Sequence, residues 1–198
     1  MRGARGLKNI ALLSAIALGG LTMLAWTGNW FTLKLGDSEA GHSVLTVTGG
    51  DAAPGLIALA LAELALVAAL AISGPVFRSV LGVVDLVIGG TIVLSSVIAI
   101  ADPVAASASV VTTATGVAGS ASIAALVVSH TQTAWPWLAV IFGLLTVALG
   151  VFILVTSRRW PGSSRRYQPA GSDSDSEPGS SGVSDWDTLS GGSDPTSR

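Results

Sequence analysis

Four long stretches of the chain consist almost entirely of apolar residues, and they limit what this sequence can fold into. They cover residues 9–26, 54–72, 80–100 and 135–156. A membrane-spanning helix needs about 20 consecutive, mostly apolar residues. Only 11% of the 198 residues are charged, whereas soluble domains carry about 25%. The sequence therefore predicts an all-α membrane protein with a four-helix transmembrane bundle.

Basic residues are distributed unevenly and predict which side of the membrane each flank occupies. Arg2, Arg5 and Lys8 precede the first span, Arg78 lies between the second and third, and four arginines follow the fourth. Lys and Arg concentrate in cytoplasmic flanks, and four spans would place all of these on one side, leaving Lys34 on the other. We therefore expect a multi-pass plasma-membrane protein with both termini in the cytoplasm.

Two features leave other topologies open. Segment 104–129 has no charged residue, but as a fifth span it would move the four C-terminal arginines outside, against the positive-inside trend. Its many Ser, Thr and Gly residues also make it a poor membrane segment. The first span could instead be a cleaved signal peptide, although no convincing small-x-small site precedes Trp26. Four retained spans are the expectation.

The two outer loops, 27–53 and 101–134, predict a small extracytoplasmic cap. Segments 30–35 and 43–48 alternate apolar and polar residues around a glycine-containing turn, which is typical of a β-hairpin. Asp102 followed by Pro103 predicts a helix start, with the helix running to about residue 115 and stopping at Gly116. Segment 123–133 is rich in β-branched residues and could add a third strand.

Beyond the membrane domain, 1–160, the composition changes abruptly. Residues 161–198 form a predicted cytoplasmic tail, and from about 172 onward it is mostly Ser, Gly, Asp and Pro. Such a segment cannot bury enough apolar surface to offset its conformational entropy. Disorder is therefore expected from about residue 172.

Glu63 and Asp85 form the candidate intramembrane polar site. A charge inside a membrane helix is costly and often marks a functional position, so Glu63 could be a proton or substrate site. It could equally be a hydrogen-bonded packing residue. Asp85 could line a pathway with Glu63, or lie near the inner interface within reach of water or of Arg78, seven residues earlier. Their predicted depths differ by several ångströms, so direct pairing is not implied.

Other chemistry is constrained by what the sequence contains. It has no cysteine and only two histidines, His42 and His130, so we expect no metal site and no cofactor. No nucleophile or phosphate-binding motif occurs, and no basic patch suggests nucleic acid. We therefore expect no enzymatic activity. Glycines in the spans (Gly19–Gly20, Gly89–Gly90, and Gly143 with Gly150) predict close helix packing.

Two C-terminal motifs resemble those of the actinobacterial tryptophan-biosynthesis-associated membrane proteins. Residues 158–167 are RRWPGSSRRY, and residues 186–196 are WDTLSGGSDPT. The sequence WPWL at 135–138 also fits that family. The chain departs from the family pattern, which usually has Met or charged residues, at Ser163, Ser190, Gly191 and Ser193. The resemblance implies a membrane protein encoded next to tryptophan-biosynthesis genes, and it supplies no activity, cofactor or catalytic residue.

The same C-terminal segments also have an interpretation from the residues alone. Basic and aromatic residues after the last span form an inner-interface anchor attracted to anionic lipid: Arg158, Arg159, Trp160, Arg165, Arg166 and Tyr167. An aromatic residue and its neighbours in the acidic tail form a candidate docking motif for a cytoplasmic protein: Trp186, Asp187, Leu189, Asp194 and Pro195. A lone aromatic in such a tail can also be idle.

Two functions follow from these features. The tail favours an accessory or scaffold protein that is linked to tryptophan biosynthesis and embedded in the lipid bilayer. The alternative is a small transporter or exporter of tryptophan or a related metabolite that uses Glu63 and Asp85. Because four helices are few for a transporter, a homo-oligomer is expected in that case.

Overall fold

The structure, a computed structural model, describes residues 2–36 and 44–157 of the chain. Its helices and strands, in chain order, are α1 (Arg2–Thr27), β1 (Asn29–Leu35), β2 (Val44–Thr48), α2 (Gly49–Ala52), α3 (Leu56–Ile72), α4 (Pro75–Ala101), α5 (Pro103–Ala106), α6 (Ala108–Thr115), α7 (Ser120–Leu126), β3 (Val127–Gln132) and α8 (Trp135–Thr156). His42, the inner-interface anchor, the docking motif and the predicted disorder of the tail lie outside the described residues.

The four long helices α1, α3, α4 and α8 pack side by side around one core. α1 contacts α3 and α8, and α4 contacts the same two helices, so α1 and α4 occupy opposite corners of the bundle. α1 and α3 run antiparallel, because Lys8 Nζ near the start of α1 donates a 2.7 Å hydrogen bond to Ala71 O at the end of α3. Large apolar side chains such as Leu13, Val87 and Leu144 are exposed on the outward faces, which suits a lipid environment.

Three of these helices are long and apolar enough to cross a membrane: Gly6–Thr27, Pro75–Ala101 and Trp135–Thr156. The fourth, α3, is apolar but has only 17 residues, at the lower end of the range of about 17 to 25 for a span. α4 begins at Pro75 rather than at 80, because Gly74 is extended and the fixed φ of proline suits a first helical position.

Glycines allow α4 and α8 to approach each other closely. A Cβ atom on Gly89 would lie 2.6 Å from the backbone nitrogen of Val147 and 2.8 Å from the carbonyl oxygen of Gly143. One turn along, a Cβ on Gly150 would lie 2.9 Å from the nitrogen of Leu86. Contacts this short with backbone atoms leave no room for a side chain, so the close packing predicted for Gly89, Gly143 and Gly150 is present between α4 and α8. It is wrong for Gly20 and Gly90, where a Cβ would meet nothing within 4 Å.

α8 also packs against α1. Near the sheet, a Cβ on Gly28 would lie 2.5 Å from the indole ring of Trp135. Toward the opposite end the two helices leave an apolar groove of about 370 Å³, lined by residues that include Ile10, Leu18 and Phe152. The close contact at Gly28 therefore joins the end of α1 to the start of α8 beside the strands, and the groove separates the two helices farther along.

A three-stranded antiparallel sheet in the order β2-β1-β3 adjoins the end of α1 and the start of α8. Thr32 in the central strand pairs with Thr46 of β2 and Thr131 of β3. Trp30 Nε1 donates a 2.8 Å hydrogen bond to Ala25 O and so ties the central strand to the last turn of α1. The predicted hairpin and third strand are confirmed. The predicted strand start at Ile123 is wrong, because the alanine-rich segment Ser120–Leu126 is helical.

The helix predicted from Asp102 is confirmed at both ends. The Asp102 side chain accepts a 2.9 Å hydrogen bond from Ala105 N, Pro103 follows it, and Gly116 ends the segment with a left-handed φ of 72°. The segment breaks at Ser107 into α5 and α6. The axes of α6 and α7 are bent by 75° relative to each other. The two helices would add a fourth candidate span only if this bent pair crossed the membrane as a single broken span.

We expect Gly89→Ala to lower the free energy of unfolding by about 1–3 kcal/mol, because the new methyl group would overlap the α8 backbone. Gly90 is the matched control, since a Cβ there meets nothing within 4 Å. Gly90→Ala should leave stability unchanged or raise it by up to about 1 kcal/mol. Thermal unfolding in detergent, followed by circular dichroism, measures both; equal stability of the two variants would contradict the close α4–α8 contact.

Candidate functional site

Polar side chains are buried on the core-facing side of every long helix. Thr22 of α1, Glu63 of α3, Asp85 and Ser96 of α4, and Thr146 of α8 all have 0% exposure. We call these five residues the polar core. A polar group among apolar neighbours costs free energy unless it is hydrogen-bonded, so the partners of each one decide what the polar core can do.

Helix periodicity explains why these residues face inward. Most buried positions of α4 recur at alternating intervals of four and three residues, as in left-handed helix bundles: Arg78, Gly82, Asp85, Gly89, Ile92, Ser96 and Ala99. Most buried positions of α8 follow the same pattern: Pro136, Ala139, Gly143, Thr146, Gly150 and Ile153. Small and polar residues therefore share one stripe on each helix, and the close glycine contacts lie at the depth of the polar core.

Glu63 makes its contact across the centre of the bundle. Thr146 Oγ1 lies 3.3 Å from Glu63 Oε1 and 3.1 Å from the carbonyl oxygen of Phe142, one turn earlier on α8. The single hydroxyl proton can serve either acceptor. A protonated Glu63 could instead donate to Thr146 Oγ1 while the hydroxyl donates to Phe142 O. The pair can therefore accommodate both the charged and the neutral carboxyl group.

Asp85 lies near Glu63 without bonding to it. Gly89, which contacts Val147 next to Thr146, is four residues after Asp85, so Asp85 lies about 6 Å, one turn, farther from the sheet than Thr146. The two carboxyl groups are close enough to interact electrostatically. Among the described residues, neither oxygen of Asp85 nor Glu63 Oε2 has a hydrogen-bond partner.

Arg78 and Asp85 share the buried stripe of α4, as their seven-residue spacing predicts, and Arg78 is 3% exposed. Because no hydrogen bond reaches the Asp85 oxygens within the described part of the chain, the two side chains do not form a direct hydrogen bond. The arginine lies near the end of the bundle opposite the sheet. The charged groups of the stripe are therefore at that end, and Ser96 is toward the sheet.

Sequence reasoning missed Thr22, Ser96 and Thr146. Hydroxyl side chains are common in membrane helices and insert at small cost, so composition gives no signal for them. Spacing would have given one: Ser96 is eleven residues, three helical turns, after Asp85. A search for residues in phase with the intramembrane carboxylates would have placed Ser96 on the same stripe.

Two other places could bind ligands, and neither offers a comparable set of unpartnered groups. An open cleft of about 950 Å³ between α5, α6 and α7 is lined mostly by small side chains, and the carboxylate at its edge, Asp102, already caps a helix. His130 lies exposed on β3. In residues 2–36 and 44–157, no group of three or more His, Cys, Asp or Glu side chains lies together in a way that could hold a metal ion.

Replacing Asp85 with Leu should raise the free energy of unfolding by about 1–3 kcal/mol, because it removes buried polar atoms that lack partners. Asp51 is the comparison for this prediction, because its carboxylate is hydrogen-bonded whereas that of Asp85 is not bonded to any of the described residues. Its carboxylate accepts hydrogen bonds from Thr48 N at 3.0 Å and Thr48 Oγ1 at 2.7 Å, so Asp51→Ala should cost about 1 kcal/mol. Thermal unfolding in detergent measures both, and a destabilised Asp85→Leu would show that Asp85 is a structural residue.

Comparison with known proteins agrees with the resemblance in the sequence. A model of the family described as tryptophan-associated transmembrane protein matches residues 12–196, which is nearly the whole chain and includes the polar core. No curated protein and no solved structure matches the chain. Because the match extends over far more than half of the sequence, the predicted membership is confirmed: the chain belongs to the tryptophan-associated transmembrane protein family.

Proposed function

We propose that α3 crosses the membrane together with α1, α4 and α8, giving four spans with both termini in the cytoplasm. α3 contacts both α1 and α4, so part of its surface is covered by protein and a 17-residue helix is long enough. The hydrogen bond from Lys8 to Ala71 O places the basic start of α1 and the α3–α4 turn at one end of the bundle. The sheet lies at the other end and would be extracytoplasmic.

A topology reporter pair tests this arrangement. Alkaline phosphatase, which is active outside the cytoplasm, and a green fluorescent protein, which folds inside it, would be fused after Arg198. Four spans predict fluorescence and no phosphatase activity. The same pair inserted at Gly116, in the loop between α6 and α7, should give phosphatase activity. A phosphatase-positive C-terminal fusion would favour the five-span alternative, in which α6 and α7 form one bent span.

We infer that the protein is a small membrane transporter for tryptophan or a related metabolite, with Glu63 and Asp85 as its proton- or substrate-binding groups. One observation carries this inference: two fully buried carboxyl groups on different helices have three oxygens without a hydrogen-bond partner among the described residues. Such groups lower the stability of a membrane bundle, and ionisable residues of this kind commonly lie on ion and substrate pathways. The family description supplies the link to tryptophan.

The chemistry of the pair suits an amino acid or a proton. A carboxylate provides the countercharge for an α-ammonium group, and a carboxylate inside a membrane bundle can also bind a proton. The backbones at Gly89 and Gly143 are in contact at this depth, so a solute the size of tryptophan requires a more open arrangement of the helices. A homo-oligomer could supply the additional surface.

An accessory or scaffold role is the second candidate, and the sequence of the tail supports it. Trp186 and Leu189 interrupt a polar, acidic segment, as in short peptides that dock on folded partners. In that case the membrane helices would localise the tail, and the polar core would contribute only to packing. The two roles differ in which part of the chain is required.

Metabolite measurements in a deletion strain distinguish the two roles. The strain would be complemented with the wild type, with Glu63→Gln, or with a chain cut after Tyr167, and tryptophan and its precursors would be measured inside and outside the cells. The transport role predicts that Glu63→Gln loses at least about tenfold of the flux, as expected for removal of an essential proton-transfer group, while the truncated chain restores it.

The control for this experiment is Thr91→Ala, a change on an exposed face of α4 that should behave as wild type. Each variant must be present in the membrane at wild-type level, as judged by immunoblot. Failure of the truncated chain together with rescue by Glu63→Gln would reject transport and support the scaffold role. An unchanged metabolite pattern in the deletion strain would reject both.

A further inference from the structure

Two hydroxyl groups of the polar core do not make the hydrogen bond to their own helix that hydroxyl side chains in helices normally make. Thr91 and Thr156 each donate to the carbonyl oxygen four residues earlier, at 2.7 and 2.6 Å, which is how helix hydroxyls usually satisfy themselves. Thr22 Oγ1 and Ser96 Oγ have no hydrogen-bond partner among the described residues, although both side chains are 0% exposed.

Both hydroxyls lie between Glu63 and the sheet. Gly19 of α1 packs against Leu64, the neighbour of Glu63, and Thr22 is one turn closer to the sheet. Ser96 is two turns beyond Gly89, in the same direction. Since α1 and α4 occupy opposite corners, the two hydroxyls approach the core from opposite sides.

Charged groups lie on the other side of Glu63. Asp85 and Arg78 are the charged residues on the buried stripe of α4, and the described buried positions of α1 and α8 carry no charged side chain. Lys8 lies at the end of the bundle away from the sheet and is bonded to Ala71 O. Among the described buried positions, the half of the core near the sheet therefore combines apolar side chains with the hydroxyls of Thr22 and Ser96, and it has no charged side chain.

We propose that Thr22 and Ser96 hold a file of water molecules that connects the sheet end of the bundle to Glu63. Buried polar atoms without a protein partner are usually satisfied by ordered water, and neutral hydroxyls can both donate to and accept from water. A hydronium ion that enters along this file transfers its proton to the Glu63 carboxylate, which leaves a water molecule and a neutral carboxyl group. The use of that proton in transport rests on the proposed function, whereas the hydration does not.

Cysteine accessibility tests this hydration directly, because the chain has no cysteine of its own. Thr22→Cys and Ser96→Cys would each be made alone, and Ag⁺ would be applied from the sheet side of sealed vesicles. Ag⁺ is small and reacts with the thiolate form of cysteine. A thiol ionises in water, whereas an apolar core suppresses its ionisation. Thiols that have not reacted would then be counted with a fluorescent maleimide after denaturation.

Two lipid-facing controls match the sites in depth: Leu24→Cys on α1 and Val97→Cys on α4, at residues that are 53% and 44% exposed on the outside of the bundle. We expect Thr22→Cys and Ser96→Cys to react at least about tenfold faster than these controls, because only a hydrated thiol ionises readily. Ala11→Cys, fully buried toward the opposite end, should be unreactive from the sheet side.

Equal reaction rates at the core and lipid-facing positions would overturn the proposal, as would reaction only from the opposite side of the membrane. Size-exclusion profiles of the cysteine variants, compared with wild type, exclude misfolding as the source of reactivity. The test is separate from the proposed function. Fast labelling combined with a Glu63→Gln variant that retains full flux would reject the transport role and leave the hydrated file in place.

Discussion

The backbone contact between α4 and α8 is the constraint on which the rest of the bundle depends. At Gly89 and Gly143 the two helices are so close that no side chain fits between them. Since lipid offers no hydrophobic driving force between helices, such van der Waals contact is a main source of association. The contact also sets the register of the two stripes, and thereby the depth of Asp85 and Thr146 in the core.

The polar core has a different balance of forces. Its five side chains come from all four long helices. Within the described part of the chain, only Glu63 and Thr146 form a hydrogen bond with each other. A core optimised for stability alone would replace the remaining groups with apolar ones. The buried polar side chains without partners lower the stability of the bundle. The close glycine contacts between the neighbouring helices α4 and α8 supply the stability that offsets this loss. Stability and the candidate function are thus located on the same stripes.

The sequence predicted much of the fold because its signals are local. Apolar length located the long helices, alternation located the strands, and Asp102 with Pro103 located a helix start. The start of α4 at Pro75 and the helical character of 123–126 depend on a proline after an extended glycine and on alanine content. Both are weaker signals in the sequence than apolar length. The carboxylates were evident from their cost in lipid, but the partners of Glu63 could not be found without knowing that α3 and α8 face each other across the core.

The sheet also determines how the bundle can move. β1 follows α1 almost directly, β3 leads into α8, and the two strands pair with each other. The backbone hydrogen bonds between β1 and β3 therefore hold together the ends of α1 and α8 near the sheet. Separating the two helices there would break these hydrogen bonds. At the far end, beside the groove near Phe152, nothing comparable joins the two helices in the described part of the chain. Any rocking of α1 against α8 therefore has its pivot at the sheet and its largest amplitude at the opposite end of the bundle.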